Sequence, residues 1–308
     1  MAITSPIILF TIDHFKNSRS VRNLVESIDL RISQKSLFMG AKSATRFYSD
    51  PIIYADIGAR GGEQKSIVDF SRILHFVVCD ADPNTESSLS SDFQDSRFSL
   101  IKFAISDSEC DQPFYQAKGP ANSSFLKPEG HSIALRGGDS RNLDRFEIEN
   151  ITNVKTTTLS HALPKNISNL DILKVDVQGL EFEVISGIGH LRPFLLCIEC
   201  STVELYLGQK TLFEVGSHLR NLGYMPLKLM EIQLVPKTKA TKQSCIQVHG
   251  DVIFVPDNSK KGVAIIKRDI EKWFAALCMH GYMDFALWQL SELKLTKPPL
   301  VIETEEML

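Results

Sequence analysis

The sequence predicts a doubly wound α/β fold: a Rossmann-like, seven-stranded sheet with helical additions at both ends. Two observations carry this. Seven short runs rich in β-branched and apolar residues are spaced along the middle of the chain, and segments with helix-period patterning lie between them. The runs are apolar on both faces, as strands are when helices cover a parallel sheet on each side. With 308 residues, 43% of them apolar and 23% charged, the chain is long enough to bury roughly three-quarters of its unfolded surface.

Taken in order, residues 1–50 form an N-terminal extension. It holds a predicted helix from Ser20 to Phe38, with Val21, Leu24, Val25 and Ile28 on one stripe. The predicted strands are Ile52 to Ile57, His75 to Asp80, Ser99 to Ile105, Asp171 to Val177, Phe194 to Cys200, Met225 to Met230 and Asp251 to Pro256. The predicted helices are Gly62 to Ile73, Pro83 to Phe93, Leu180 to Ile188 and Thr211 to Leu222, the last stopped by Gly223 as a helix C-cap. Residues 118–150, rich in Gly, Ser, Asn and Pro, are too long for a simple connector and read as a functional loop or a disordered insertion. Residues 51–257 are thus the sheet domain, and 258–308 a C-terminal helical extension. Its apolar residues on both sides of Gly281 suit helices that cover the sheet or a partner subunit, as in a homodimer.

A formal net charge of −3 argues against a polyanion binder, so nucleic acid is not an expected partner. No apolar run approaches the roughly 20 residues of a membrane helix, and a cytoplasmic protein is expected. The six cysteines are scattered, mostly in apolar segments, as reduced core thiols are. Cys197 and Cys200 have C-x-x-C spacing, but no second pair follows and the histidines form no constellation, so no metal is predicted.

The turn after the first strand, YADIGARGGEQ, is the candidate ligand site. Asp56, Gly58, Ala59 and Gly62 form a D-x-G-x-x-x-G pattern where open α/β sheets bind nucleotides, and glycines there let backbone approach a ligand. Asp80 ends the second strand about 20 residues on, where an acid accepts ribose hydroxyls and repels a 2′-phosphate. The dinucleotide fingerprint G-x-G-x-x-G is missing from this turn. A carboxylate precedes the first glycine instead, which suits a ligand carrying positive charge, such as the amino acid end of S-adenosylmethionine.

With these come further segments: ADIGARGGE, VVCDADPNTESSL, FAISDSE, LDILKVDVQGLEFEVISGI, LLCIECS and GQKTLFEVGSHLRNLGY. In this order they resemble the FkbM-type S-adenosylmethionine-dependent methyltransferases of the class I Rossmann-like superfamily, over roughly Ile52 to Val255. The fourth segment is the most specific, being similar to the family's iDxLKiDvqGxExxvLxG. The resemblance implies that Asp56, Gly58 and Gly62 cradle the donor's methionine end. It further implies that Asp80, with Ala81, reads the ribose, and that Phe103 to Asp107, including Ala104 and Ile105, border the adenine. Lys174, Asp176, Gly179 and Glu181 fall in the fourth motif and Glu199 at the end of the next strand. Arg60 departs from the family, which usually has asparagine there.

Methyl transfer to a hydroxyl needs positioning and a general base, worth about 10² to 10⁴ in rate. Asp176 and Glu199, each at a strand's carboxyl end, are the candidate bases. Lys174 shares a face with Asp176 and can hold it ionised or form a plain structural ion pair with it. Glu181 and Glu183, near the start of a helix, suit its dipole. The loop carrying Asn122, His131, Arg136, Arg141 and Arg145 suits a lid over sugar hydroxyls or anionic groups. The expected function is O-methylation of a hydroxyl on a glycan or small natural product. The alternatives are a donor-binding or scaffold protein without catalysis and an NAD-dependent oxidoreductase.

Overall fold

The computed structural model describes residues 37–58, 70–81, 97–135, 144–230 and 248–308. The predicted helices at Ser20 to Phe38 (all but its last two residues), Gly62 to Ile73 (all but its last four) and Pro83 to Phe93 lie outside the described residues, as do Ala59, Arg60, Gly62, Arg136 and Arg141. The chain divides into two compact units, residues 46–276 and residues 1–45 with 277–308. The division therefore falls inside the predicted C-terminal extension.

The larger unit holds the sheet. Its strands are β1 (Ile52–Ile57), β2 (Leu74–Cys79), β3 (Arg97–Ile101), β7 (Ile172–Val175), β8 (Leu195–Ser201), β9 (Tyr224–Leu229) and β10 (His249–Pro256), in the order β3-β2-β1-β7-β8-β10-β9. The first five positions are parallel, and β10 runs antiparallel to both β8 and β9. The seven predicted strands are all present, so the α/β fold follows from the patterning. The direction of β10 does not, because an antiparallel strand buried on both faces reads like a parallel one. Ile52, Leu173, Val175, Leu196, Ile198 and Val255 are fully buried across the sheet. Each such side chain stabilises the fold by about 1.5–3 kcal/mol relative to exposure.

The predicted strand from Ser99 to Ile105 is split. Its first half is β3; its second is β4 (Ala104–Ser106), which belongs to a separate three-stranded sheet with β5 (Asp111–Ala117) and β6 (Ile148–Thr158), in the order β4-β6-β5. β6 is mostly exposed and polar, and so shows none of the apolar patterning that marks the other strands. Residues 118–135 and 144–150 of the predicted loop are described. They include the turn Pro120–Asn122, the helix α1 (Gly130–Leu135) and the start of β6.

Three further helices of this unit are α2 (Leu159–Ala162), α3 (Glu181–Ser186) and α4 (Leu212–Leu222). The residue that follows α3 must be a glycine, Gly187, because a side chain there would strike the Ser106 carbonyl at 2.3 Å, where α3 packs on β4. Gly223 caps α4 in the left-handed conformation (φ +95°), as its position in the sequence predicts. Beyond β10 come α5 (Lys260–Arg268), packed on β10, and α6 (Ile270–Met279). Asp171, buried ahead of β7, accepts hydrogen bonds from the Ile53 amide at 2.9 Å and Arg268 at 3.2 Å, with Lys272 at 3.7 Å.

In the smaller unit, α7 (Met283–Glu292) and α8 (Pro299–Glu306) bury Met283, Ala286, Leu290, Leu300 and Val301. Ser43 donates from its amide (2.8 Å) and hydroxyl (2.7 Å) to Glu303, tying the two chain segments of this unit together. Among the described residues, no helix is long and apolar enough to cross a membrane.

Candidate functional site

Strand order reverses between β1 and β7: the chain leaves β1 for β2 on one side and returns to β7 on the other. In such sheets, ligands bind outside the carboxyl ends of the strands flanking the reversal. Backbone bonds lock these ends together. The amide of Gly58 donates to Cys79 O (3.0 Å), that of Asp80 to Ile101 O (3.1 Å) and that of Asp176 to Ile57 O (3.0 Å). A cavity of about 600 Å³ opens there. One side is lined by Gly58, Asp80, Ala81, Phe103, Ala104 and Ile105, and the floor by Lys174, Asp176 and Gln178. The opposite wall belongs to the second sheet and the turn after it, with Phe114, Gln116, Ser123, Phe125, Thr152 and Val154. That wall carries no charged side chain among the described residues.

Gly58 is required for a reason other than ligand approach. It adopts φ +85°, and a Cβ there would lie 1.9 Å from the Asp176 carbonyl. The glycine lets β1 turn directly over the end of β7, which brings Asp176 to the cavity.

Asp56, expected at the donor's methionine end, stands at the end of β1 against Lys174. It is 7% exposed, and its Oδ1 accepts from Lys174 Nζ at 3.3 Å. The two residues stand opposite one another in the β1–β7 register, and Asp56 is not among the cavity's described lining. Burial pushes the Asp56 carboxyl up and Lys174 opposes it. Lys174 is lowered by burial and then raised by Asp56 and Asp176, with a net upward shift. Lys174 therefore bonds Asp56 and acts on Asp176 only through its field.

Asp176 and Glu199 come together. Gln178 Nε2 donates to Asp176 Oδ1 and to Glu199 Oε2, each at 2.8 Å. Burial and then the Glu199 charge push Asp176 up to about 6, an ionisation range suited to a base working near neutrality. Asp176 lines the cavity, whereas Glu199 stands behind it. Glu199 Oε1 lies 3.1 Å from His249 Nδ1, so the carboxylate between two cysteines has the partners that its burial demands.

Gln178 sits at φ +56°, a conformation that costs a non-glycine residue about 1–2 kcal/mol. Its surroundings hold it there. The Ser124 hydroxyl donates to its carbonyl at 2.6 Å, and the Tyr206 hydroxyl reaches its Oε1 at 3.2 Å. Backbone strain of this kind concentrates at functional sites. Glu181 supports the same turn rather than only the dipole of α3. Its carboxylate accepts from the amides of Val177 (3.2 Å) and Gly179 (3.0 Å), and burial, ahead of the Glu199 charge, pushes it up to about 8.

Of the residues expected at the adenine, Ala104 and Ile105 line the cavity and Asp107 does not. The Asp107 carboxylate takes hydroxyl hydrogen bonds from Ser108 (2.8 Å) and Ser106 (3.4 Å). Arg145 and His131 are exposed and are not in the described lining. The sequence reading did not single out Gln178, His249, Phe114 or Phe125. Gln178 lies inside the most specific motif and was legible there. His249 and the two phenylalanines are remote in sequence, and nothing local marks them.

Residues 56–226, more than half of the chain, match the family described as the methyltransferase FkbM domain. No curated protein matches the chain. Among solved structures it is similar to a methyltransferase FkbM from Methylobacillus flagellatus KT, at 12% identity over 66% of this chain and 44% of that one, with a TM-score of 0.39. It is also similar to the O-methyltransferase TomG from Streptomyces achromogenes, solved with SAM, at 12% identity over 73% and 80% of the two chains, TM-score 0.33. A third is precorrin-6y C5,15-methyltransferase from Geobacter metallireducens GS-15, at 12% identity over 67% and 80%, TM-score 0.32. The chain spans less than half the length of the Methylobacillus structure.

Proposed function

The chain belongs to the FkbM methyltransferase domain family, and from that premise we propose that it transfers the methyl group of S-adenosylmethionine to a hydroxyl of a neutral sugar or small natural product. The observation that carries the proposal is the cavity at the β1–β7 reversal, with Asp80 on one side, Asp176 on the floor and an uncharged wall opposite.

The residues present fit the donor. Asp80 closes β2 where a ribose diol would be held, and Phe103, Ala104 and Ile105 offer an apolar face to an adenine. When bound, S-adenosylmethionine supplies an electrophilic methyl on a sulfonium. The chain supplies position and proton transfer. Asp176, at the cavity floor, takes the acceptor's hydroxyl proton, and Gln178 fixes the carboxylate's direction. Lys174 stays with Asp56 and sets the field under the site. The second-sheet wall sets acceptor choice. Phe114 and Phe125 meet edge to face, ring centroids 5.0 Å apart, and Gln116 and Ser123 add neutral polar groups. Such a wall favours an uncharged ring over an anionic group.

The test has two arms. Calorimetry should show S-adenosylmethionine binding, weakened at least about 10-fold, or about 1.4 kcal/mol, in Asp80→Ala; equal affinity in wild type and variant would sink the donor assignment. A labelled-methyl assay against extracts of the producing cell, followed by mass spectrometry, should yield a methyl ether on a neutral product. Label on nitrogen or on an acidic product would reject the acceptor class.

A further inference from the structure

The strands β7, β8 and β10 place a run of polar side chains behind the cavity floor. Asp176 is joined through Gln178 to Glu199, and Glu199 to His249, at 2.8, 2.8 and 3.1 Å. His249 is 3% exposed, and its Nε2 is buried with no hydrogen-bond partner among the described residues. A ring so placed puts its proton on Nδ1, facing Glu199. The other tautomer would set the Nδ1 lone pair against the Glu199 carboxylate and leave Nε2–H without an acceptor among the described residues. The tautomer is assigned from this network.

We propose that His249 is a positioning residue that keeps the last proton of the Asp176–Glu199 pair on Asp176. The inference rests on the reading of Asp176 as the base. Two carboxylates this close cannot both ionise freely, and the member with more donors is the one that stays charged. Both accept from Gln178, and Glu199 gains the His249 N–H besides. Glu199 thus stays anionic, and its charge makes Asp176, the member at the cavity, the more basic of the two. Without His249, the better base would be Glu199, which is not in the cavity's described lining.

The other charged groups facing the pair among the described residues are Lys174 on β7, Glu181 on α3 and Asp251 on β10, with Asp56 of β1 beyond Lys174. Asp251 stands opposite Glu199 in the β8–β10 register. Burial and then Glu199 push its carboxyl up. Lys174 is bonded to Asp56, whereas His249 is directed at Glu199 and so distinguishes it from Asp176.

The test is carboxyl ¹³C NMR of the full chain across pH, with Asp176→Asn and Glu199→Gln used for assignment. In wild type, Asp176 should titrate above Glu199. In His249→Phe, the Asp176 midpoint should fall and that of Glu199 rise, each by about one unit or ten-fold in proton affinity. His249→Asn, whose amide N–H can stand where Nδ1–H stood, should restore the wild-type order. Midpoints unchanged in the Phe variant, or an Asn variant that folds and behaves like Phe, would overturn the proposal. Should the Phe variant not fold, ¹⁵N NMR of wild-type His249 decides: a protonated Nδ1 and bare Nε2 near neutral pH are required, and the opposite tautomer refutes it. Full methyl transfer by Asp176→Asn would instead defeat the base reading, while leaving the wild-type proton order standing.

Discussion

Gln178→Ala isolates the contact that holds the site together. In the native protein, one amide nitrogen donates to two carboxylates at 2.8 Å each, and the residue stays at φ +56° while doing so. Hydrogen bonds to charged groups contribute about 1.5–3 kcal/mol each. Alanine keeps the backbone strain and removes both bonds, leaving two anions face to face. Water entering this half-buried position recovers part of the loss, so the expected destabilisation is about 2–4 kcal/mol. For a unit of this size, that corresponds to a fall in Tm of about 5–15 °C.

The loss should depend on pH, with a definite sign. The Asp176 carboxyl is raised from 3.8 to about 6 in the folded protein. A raised carboxyl favours folding at low pH, and that contribution is lost as pH rises from 3.8 through about 6. Removing Gln178 takes away a donor to the ionised form and raises Asp176 further. Urea unfolding should therefore show the largest deficit at about pH 8, where both carboxylates are charged, and a smaller one at about pH 4.5. A deficit below about 0.5 kcal/mol at the higher pH, or equal deficits at both, would refute the account.

Other substitutions test separate parts of the structure. Gly58→Ala forces a left-handed residue and a Cβ at 1.9 Å from the Asp176 carbonyl, so denaturation should show a loss of at least about 2 kcal/mol; near-wild-type stability would mean the β1 turn is differently built. Asp171→Ala removes the acceptor shared by Ile53, Arg268 and Lys272 and should cost about 3 kcal/mol by the same assay, against an expectation of none if the charges are solvated. Phe125→Ala should raise the acceptor's KM by roughly 10-fold through lost aromatic contact while calorimetric donor affinity is unchanged; loss of donor binding instead would place the acceptor elsewhere.

The legible parts of this protein are those written in short stretches. Apolar runs located all seven strands of the main sheet, and Gly223 marked the end of α4, because strand burial and left-handed caps depend on a few adjacent residues. The order of motifs from Asp56 onward identified the family for the same reason. Pairing across strands was not legible. That Lys174 stands opposite Asp56 emerges only when β1 and β7 are aligned. β6 is polar enough to pass for loop, and its partner strands are found at residues 104–106 and 111–117. The stretch from Ser99 to Ile105 looks continuous, yet its two halves pair in different sheets.

What the sequence by itself determined was the α/β class, the methyltransferase family and the two carboxylates at the strand ends. Only the tertiary structure decided that Asp176 lines the cavity, that Glu199 stands behind it against His249, and that a second sheet contributes a wall of the cavity. The physical reason is that local patterning records which residues are buried, whereas hydrogen-bond partners and field directions depend on strand register and order, which bring together residues as far apart as Glu199 and His249.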